Sequence, residues 1–193
     1  MKKLLFCAAG AALLSACASD YGPPPPPMAG PPPPPMGGDR MPMPPMPTDA
    51  PGYVAMAGAS DMFEIQSGQL ALQRSRDPQV RAFAQMLVAD HNMTTSEVMR
   101  AASAARVPAG PPMLTPEQQT MLDRMQRASP AEFDLVFARN QVHAHRMALA
   151  LHQTYAARGD APPLRAVAAR AVPVVQGHLQ QARGLRGAER AGG

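Results

Sequence analysis

The chain has 193 residues, 46% hydrophobic and only 4% aromatic with no Trp, and carries a formal charge of +4. Its two cysteines, Cys7 and Cys17, both stand near the N-terminus, which excludes disulfides, thiolate metal sites and cysteine nucleophiles from a domain folded downstream. Both lysines, Lys2 and Lys3, lie there too, so every later cation is an arginine, the charge beyond residue 16 is +2, and there is no basis for a nucleic-acid partner.

The first element is a leader. Lys2 and Lys3 precede an apolar run from Leu4 to Leu14, which ends in Ser15, Ala16 and Cys17. A basic start, a short apolar stretch and small residues form the layout of an export signal, and the run is shorter than the roughly 20 residues that span a bilayer. Leu14 to Cys17 resembles the lipobox of bacterial lipoproteins, in which the signal (residues 1–16) is removed and the new first cysteine is acylated. The plainer alternative is a secretory signal with an incidental cysteine. The lipobox resemblance implies a membrane partner through a lipid on Cys17. Ala18 rather than Asp after the cysteine resembles outer-membrane retention, hence a location in the envelope facing the periplasm.

Residues 17–52 read as a tether. Pro23 to Gly30 is PPPPPMAG and Pro31 to Gly38 is PPPPPMGG, and proline runs favour polyproline II because they lack backbone donors and fix φ. At about 3.1 Å per residue the segment reaches on the order of 100 Å when extended. Met28, Met36, Met41, Met43 and Met46 lie in it. Thioethers suit Cu(I), although Met also serves as a plain apolar spacer in low-complexity sequence.

Helical periodicity begins near Ala55 and fills the remaining domain, residues 53–188, with 189–193 as a disordered tail. The first segment, about 55–74, carries Met62, Phe63, Ile65, Leu70 and Leu72 and is broken by Asp77 and Pro78, a cap and first-turn pair for the next helix. The second runs to about Ala105 with Val80, Phe83, Ala84, Leu87, His91, Thr94 and Val98 on one face. A short helix over Pro116–Arg127 follows prolines 108, 111 and 112. A third long segment is expected after Ser129 and Pro130, reaching Arg158, and a fourth from Asp160, Pro162 and Pro163, with Pro173 expected to kink it. Four long amphipathic helices, two tight turns and one long middle connection predict an all-α, ferritin-like four-helix bundle whose crossover contains the short helix. A plain up-and-down bundle is the alternative.

Each long helix places one metal-capable residue on or beside its apolar stripe: Glu64, His91, His145 and His178. At 1.5 Å per residue they lie roughly 18 to 23 Å from their nearest turns, so all four meet near one mid-bundle level. Valines at 88, 142 and 175 stand where a Glu-x-x-His pattern needs glutamate, so the two-metal carboxylate site is not expected. One carboxylate and three imidazoles suit Zn, Cu or a single Fe, with Asp90 and Gln141 as outer partners. The same residues equally describe a satisfied polar layer that sets helix register without a ligand. His143 is expected to meet solvent and His152 to line the same face nearer the bundle end. No nucleophile triad or glycine-rich phosphate loop is present, so an enzyme is not the expected class.

Phe63-Glu64-Ile65, Phe83-Ala84 leading to Asp90-His91, Phe133-Asp134 leading to Gln141-Val142 and His145, Gly159-Asp160, and Pro173 leading to His178-Leu179 together resemble the bacterial family called domain of unknown function 4142, over about residues 53–185. The resemblance implies a ferritin-like bundle in an envelope protein and no established activity. It makes Glu64, Asp90, His91, His145 and His178 family positions. The expected function is a non-enzymatic, lipid-anchored envelope protein with a structural or stress-related interaction role. The alternatives are a metal-binding or redox bundle using the Glu/His level, and a periplasmic metal or proton buffer that also uses the tether methionines.

Overall fold

The computed structural model describes residues 45–188; the leader, Cys17 and nearly all of the tether lie outside them. Five helices follow in order: α1 Ala50–Arg74, α2 Pro78–Ala104, α3 Pro116–Arg127, α4 Phe133–Arg158 and α5 Pro162–Gly184. Among the described residues no helix is long and apolar enough to cross a membrane.

Helix α1 starts at Ala50, earlier than the onset expected near Ala55 and inside the stretch read as tether. Asp49 accepts a 2.8 Å hydrogen bond from the Gly52 amide, and Pro51 falls in the first turn, where its missing N–H costs nothing. Asp77 caps α2 in the same way, accepting from Gln79 and Val80. Helix α4 starts at Phe133, later than the Ser129-Pro130 pair suggested. Ser129 instead donates through its hydroxyl to the Glu132 carboxylate at 2.6 Å, so 129–132 closes a turn before the helix begins. Asp160 does not cap α5; it accepts the Tyr155 hydroxyl at 2.9 Å, and Ala161 holds the cap position without a side-chain bond. Pro173 lies inside α5 on its exposed face, where the carbonyl it leaves without a helical donor meets water.

The long helices pair as two antiparallel hairpins, α1 with α2 and α4 with α5, and α2 also packs on α5 and α1 on α4. One apolar cluster joins the end of α1 and the start of α2 to the start of α4 and the end of α5, through Ala71, Phe83, Leu87, Phe137, Val142 and Leu179. A second joins the opposite ends, through Tyr53, Val98, Ala102, Leu151, Tyr155 and Leu164. The α2–α4 connection therefore travels the length of the bundle, and α2 and α4 run parallel: this is the crossover topology of ferritin-like bundles. Helix α3 lies along that path against α1 and α4. Its start carries a reciprocal Thr115–Gln118 capping box. Its end is held by Arg74, which donates to the Gln126 and Ala128 carbonyls at 2.9 and 2.6 Å and stacks over Phe133.

Gly68 sets the approach of α1 to α2. A Cβ there would stand 2.9 Å from Val88 Cγ2 and 3.0 Å from the Ala84 carbonyl, so the helices come close only because it has none. That closeness brings one turn of α1 against the middle of α2, between the two apolar clusters.

Candidate metal centre

The middle level of the bundle is polar. Glu64 and Asp61 come from α1, His91 from α2, Gln141 and His145 from α4 and His178 from α5, and all are buried. The apolar residues above and below are placed by helical periodicity, and the polar ones occupy the same inward stripe for one turn.

Three imidazoles converge. Ring centroids are 6.0 Å apart for His91–His145, 5.5 Å for His91–His178 and 5.4 Å for His145–His178. One ring nitrogen from each lies within 4.8 Å of the others. Each ring has its second nitrogen engaged outward. His91 Nδ1 is 2.8 Å from Asp61 Oδ1, His145 Nδ1 is 2.8 Å from the Gln141 carbonyl, and His178 Nε2 is 2.9 Å from Asp90 Oδ2. Carbonyls and carboxylates only accept, so these nitrogens donate. That fixes the tautomers of the neutral rings and leaves a lone pair on His145 Nε2 and on His178 Nδ1. Those two atoms and His91 Nε2 are buried without a hydrogen-bond partner.

Of the four residues singled out from sequence, Glu64 stands slightly aside. Its Oε1 is 3.6 Å from His145 Nδ1, on the side of that ring facing away from the free nitrogen, and neither oxygen has a hydrogen-bond partner. Gln141 donates to Ser67 Oγ at 2.9 Å besides lending its carbonyl to His145. Asp90 projects to a half-buried position and reaches His178 from the rim. His143 is half exposed and faces Glu117 at 2.9 Å.

His152 is buried in the end cluster and pairs with the Tyr53 hydroxyl at 3.1 Å. Asp61 escaped the sequence reading although the signal was present. It lies three residues before Glu64 and so shares its helix face. Its second oxygen accepts from Thr95 Oγ1 at 2.9 Å, so Thr95 rather than Thr94 turns toward the site.

Burial sets the protonation. It pushes the Glu64 carboxyl up to about 7, with the charge of His91 pulling the other way. It drives His145 down to about 3, aided by the positive charge of His91. His178 is lowered by burial and by His91, against the Asp90 bond. His91 moves upward: burial opposes its charge, but the Asp61 hydrogen bond and the charges of Glu64, Asp61 and Asp90 outweigh it. Burial thus favours the neutral form of His145 and His178, whereas the carboxylates around His91 favour its charged form.

That donor set fits a transition-metal ion. Ligand histidines characteristically donate their other N–H to a carboxylate or carbonyl, as all three do here. Bonds of about 2.0 to 2.1 Å hold ligand nitrogens roughly 3.3 to 3.6 Å apart, so from separations of up to 4.8 Å the rings must close in on the ion. A metal ion at this level needs His91 neutral, so binding there is coupled to loss of any proton His91 carries.

No curated protein is similar enough in sequence to match the chain. Several solved structures share its fold at low identity. CopM in its Cu(II)-bound form matches with a TM-score of 0.61 at 17% identity, covering 72% of this chain and 96% of that one. CopM in its Cu(I)-bound form gives 0.58 at 17%, covering 70% and 94%. A DUF305 fragment from Deinococcus radiodurans gives 0.62 at 16%, covering 73% and 97%. Residues 38–185 match the family described as domain of unknown function, DUF4142, and the chain belongs to that family.

Proposed function

We propose that the protein binds a transition metal, copper above all, at His91, His145 and His178, and holds it at a membrane surface through a lipid on Cys17. One observation carries the metal reading: three buried imidazoles, each oriented by an outward hydrogen bond, leave three unpartnered nitrogens at one level. A polar layer that only fixed register would bond its members to one another, because an unpaired buried polar atom costs about 1–3 kcal/mol. Imidazole suits copper in either oxidation state, and Cu(II) leads the divalent affinity order. The fold shared with CopM, whose solved forms hold Cu(II), Cu(I) and Ag, supports the choice of ion.

The role is binding rather than catalysis. Such a protein stores, buffers or passes on a metal in the cell envelope, with the proline tether setting its distance from the membrane. The test is elemental analysis of purified protein after growth with Cu, Zn, Fe and Mn. About one equivalent of copper per chain is expected, and less than about a tenth of an equivalent of every metal would overturn the reading. Mass spectrometry of the mature N-terminus tests the anchor: an acylated Cys17 supports it, and a mature chain beginning at an unmodified residue overturns it.

A further inference from the structure

One cavity reaches the carboxylate that orients His91. A cavity of about 300 Å³ opens between α1, α2 and the first part of the crossover, and its lining includes Asp61, Thr95, Met99 and Met113. Asp61 is buried to 3% exposure and forms the inner wall with Thr95, which bonds its Oδ2. Its other oxygen holds His91 Nδ1, and His91 Nε2 is the unpartnered nitrogen on the far edge of the ring. Asp61 thus connects this cavity to the three-histidine level through its bond to His91.

The mouth carries unusual chemistry for a bundle surface. Met99 and Met113 are 39% and 77% exposed, and Pro108, Pro111 and Pro112 stiffen the crossover segment that forms the rim. A thioether is soft, favours Cu(I) over the hard ions of the medium, and has no proton to lose. A larger cavity of about 400 Å³ between α1, α3 and α4 also holds methionines, Met56, Met121 and Met147, but none of its lining residues bonds a site histidine.

We infer that the Met99/Met113 cavity is the access route for a soft monovalent cation, with the thioethers as the capture point and Asp61, which orients His91, marking the inner end of the route. The inference rests on the metal reading above. No redox step is involved: Cu(I) enters and stays Cu(I), exchanging thioether for imidazole ligands.

The experiment delivers Cu(I) anaerobically to the metal-free full chain from a chromophoric chelator and follows the loss of chelator colour, reading both rate and end point. The Met99→Leu/Met113→Leu pair keeps volume and removes the sulfurs. It is expected to load about tenfold more slowly to the same end point. Ala55→Trp, at an exposed lining position, is expected to slow loading by obstruction. Met93→Leu, 58% exposed but outside the cavity, is expected to load like the unaltered protein. If the Met99/Met113 pair loads at the unaltered rate, or Met93→Leu is the slow variant, the route is overturned while the site stands. If the unaltered chain takes no Cu(I) at all, both the site and the route fall.

Discussion

One bundle buries His152 beside two tyrosines at one end and three histidines at its middle, and the two sites differ in how their polar atoms are partnered. At the end near the α1 N-terminus, His152 pairs with Tyr53, Tyr53 stacks on Tyr155 at 4.0 Å, and Tyr155 donates to Asp160. Among the described residues, none of these side chains leaves a buried polar atom without a partner. Two turns along α4, or roughly 10 Å, the His91/His145/His178 level leaves three ring nitrogens and both Glu64 oxygens unpartnered. Both clusters share burial, aromatic neighbours and helical framing. The first is a finished polar contact, whereas the second is a half-shell of donors, stable only because the bundle around it supplies the free energy. Burial of histidine is therefore uninformative about function; the partner of its second nitrogen is what separates the two clusters.

The comparison breaks most directly through metal content. His145→Ala is expected to drop bound copper from about one equivalent to below a tenth, while His152→Leu retains it, since only the former supplies an inward nitrogen. Equal loss from both, measured by elemental analysis on folded protein, would erase the distinction.

Thermal melting gives the next largest effect. Copper at about a hundred times its dissociation constant adds roughly 2.7 kcal/mol, or about 5 to 10 °C in a domain of this size. The shift should survive Tyr53→Phe and vanish in His178→Ala.

Proton linkage sharpens the contrast in the metal-free protein. Glu64 has its folded value raised to about 7, so its contribution is fully present below its unfolded value of 4.5 and is lost as pH rises through 7. Glu64→Gln should then stabilise the metal-free chain at pH 8 by on the order of 2 kcal/mol and change it little at pH 4. Urea midpoints at the two pH values check this, and equal shifts would contradict it. His145 and His152 are depressed by burial to about 3 and about 4. Their neutral forms are favoured in the fold, so their share of stability is complete above 6.5 and falls away as pH drops through the folded values. Both imidazoles lose stability in acid, but only His145 stands at the level where Glu64 opposes that loss.

The smallest effect belongs to the finished cluster. Tyr53→Phe leaves His152 Nδ1 without its partner and should cost about 1–3 kcal/mol with no change in metal content. A variant that lost metal as well would join the two clusters into one network.

Much of this architecture was legible before any coordinates. Asp77-Pro78, Thr115-Pro116 and the 162–163 proline pair mark helix starts because they act through local hydrogen bonds and fixed φ, which a short window contains. Ser129-Pro130 misled because Ser129 bonds Glu132 in a turn instead of capping a helix. The first helix starts before Ala55 because Pro51 is harmless in a first turn, and the Asp49 cap marks that start. In the site, the depth of His91, His145 and His178 followed from helical rise. The absence of Asp61 from that reading came from treating one polar residue per helix as enough, although its spacing from Glu64 placed it on the same face.

The sequence by itself determined the number and order of the helices, the long crossover, and which residues could lie at mid-bundle, because rise and periodicity are local properties of the chain. Only the tertiary structure decided which nitrogen of each ring faces inward and that Glu64 stands beside the cluster rather than in it. It also decided that Asp61 holds His91 beneath an open cavity. These depend on helix rotation and on contacts between residues 30 to 90 positions apart. A rotation by one residue, about 100°, would turn a converging ring into a surface one.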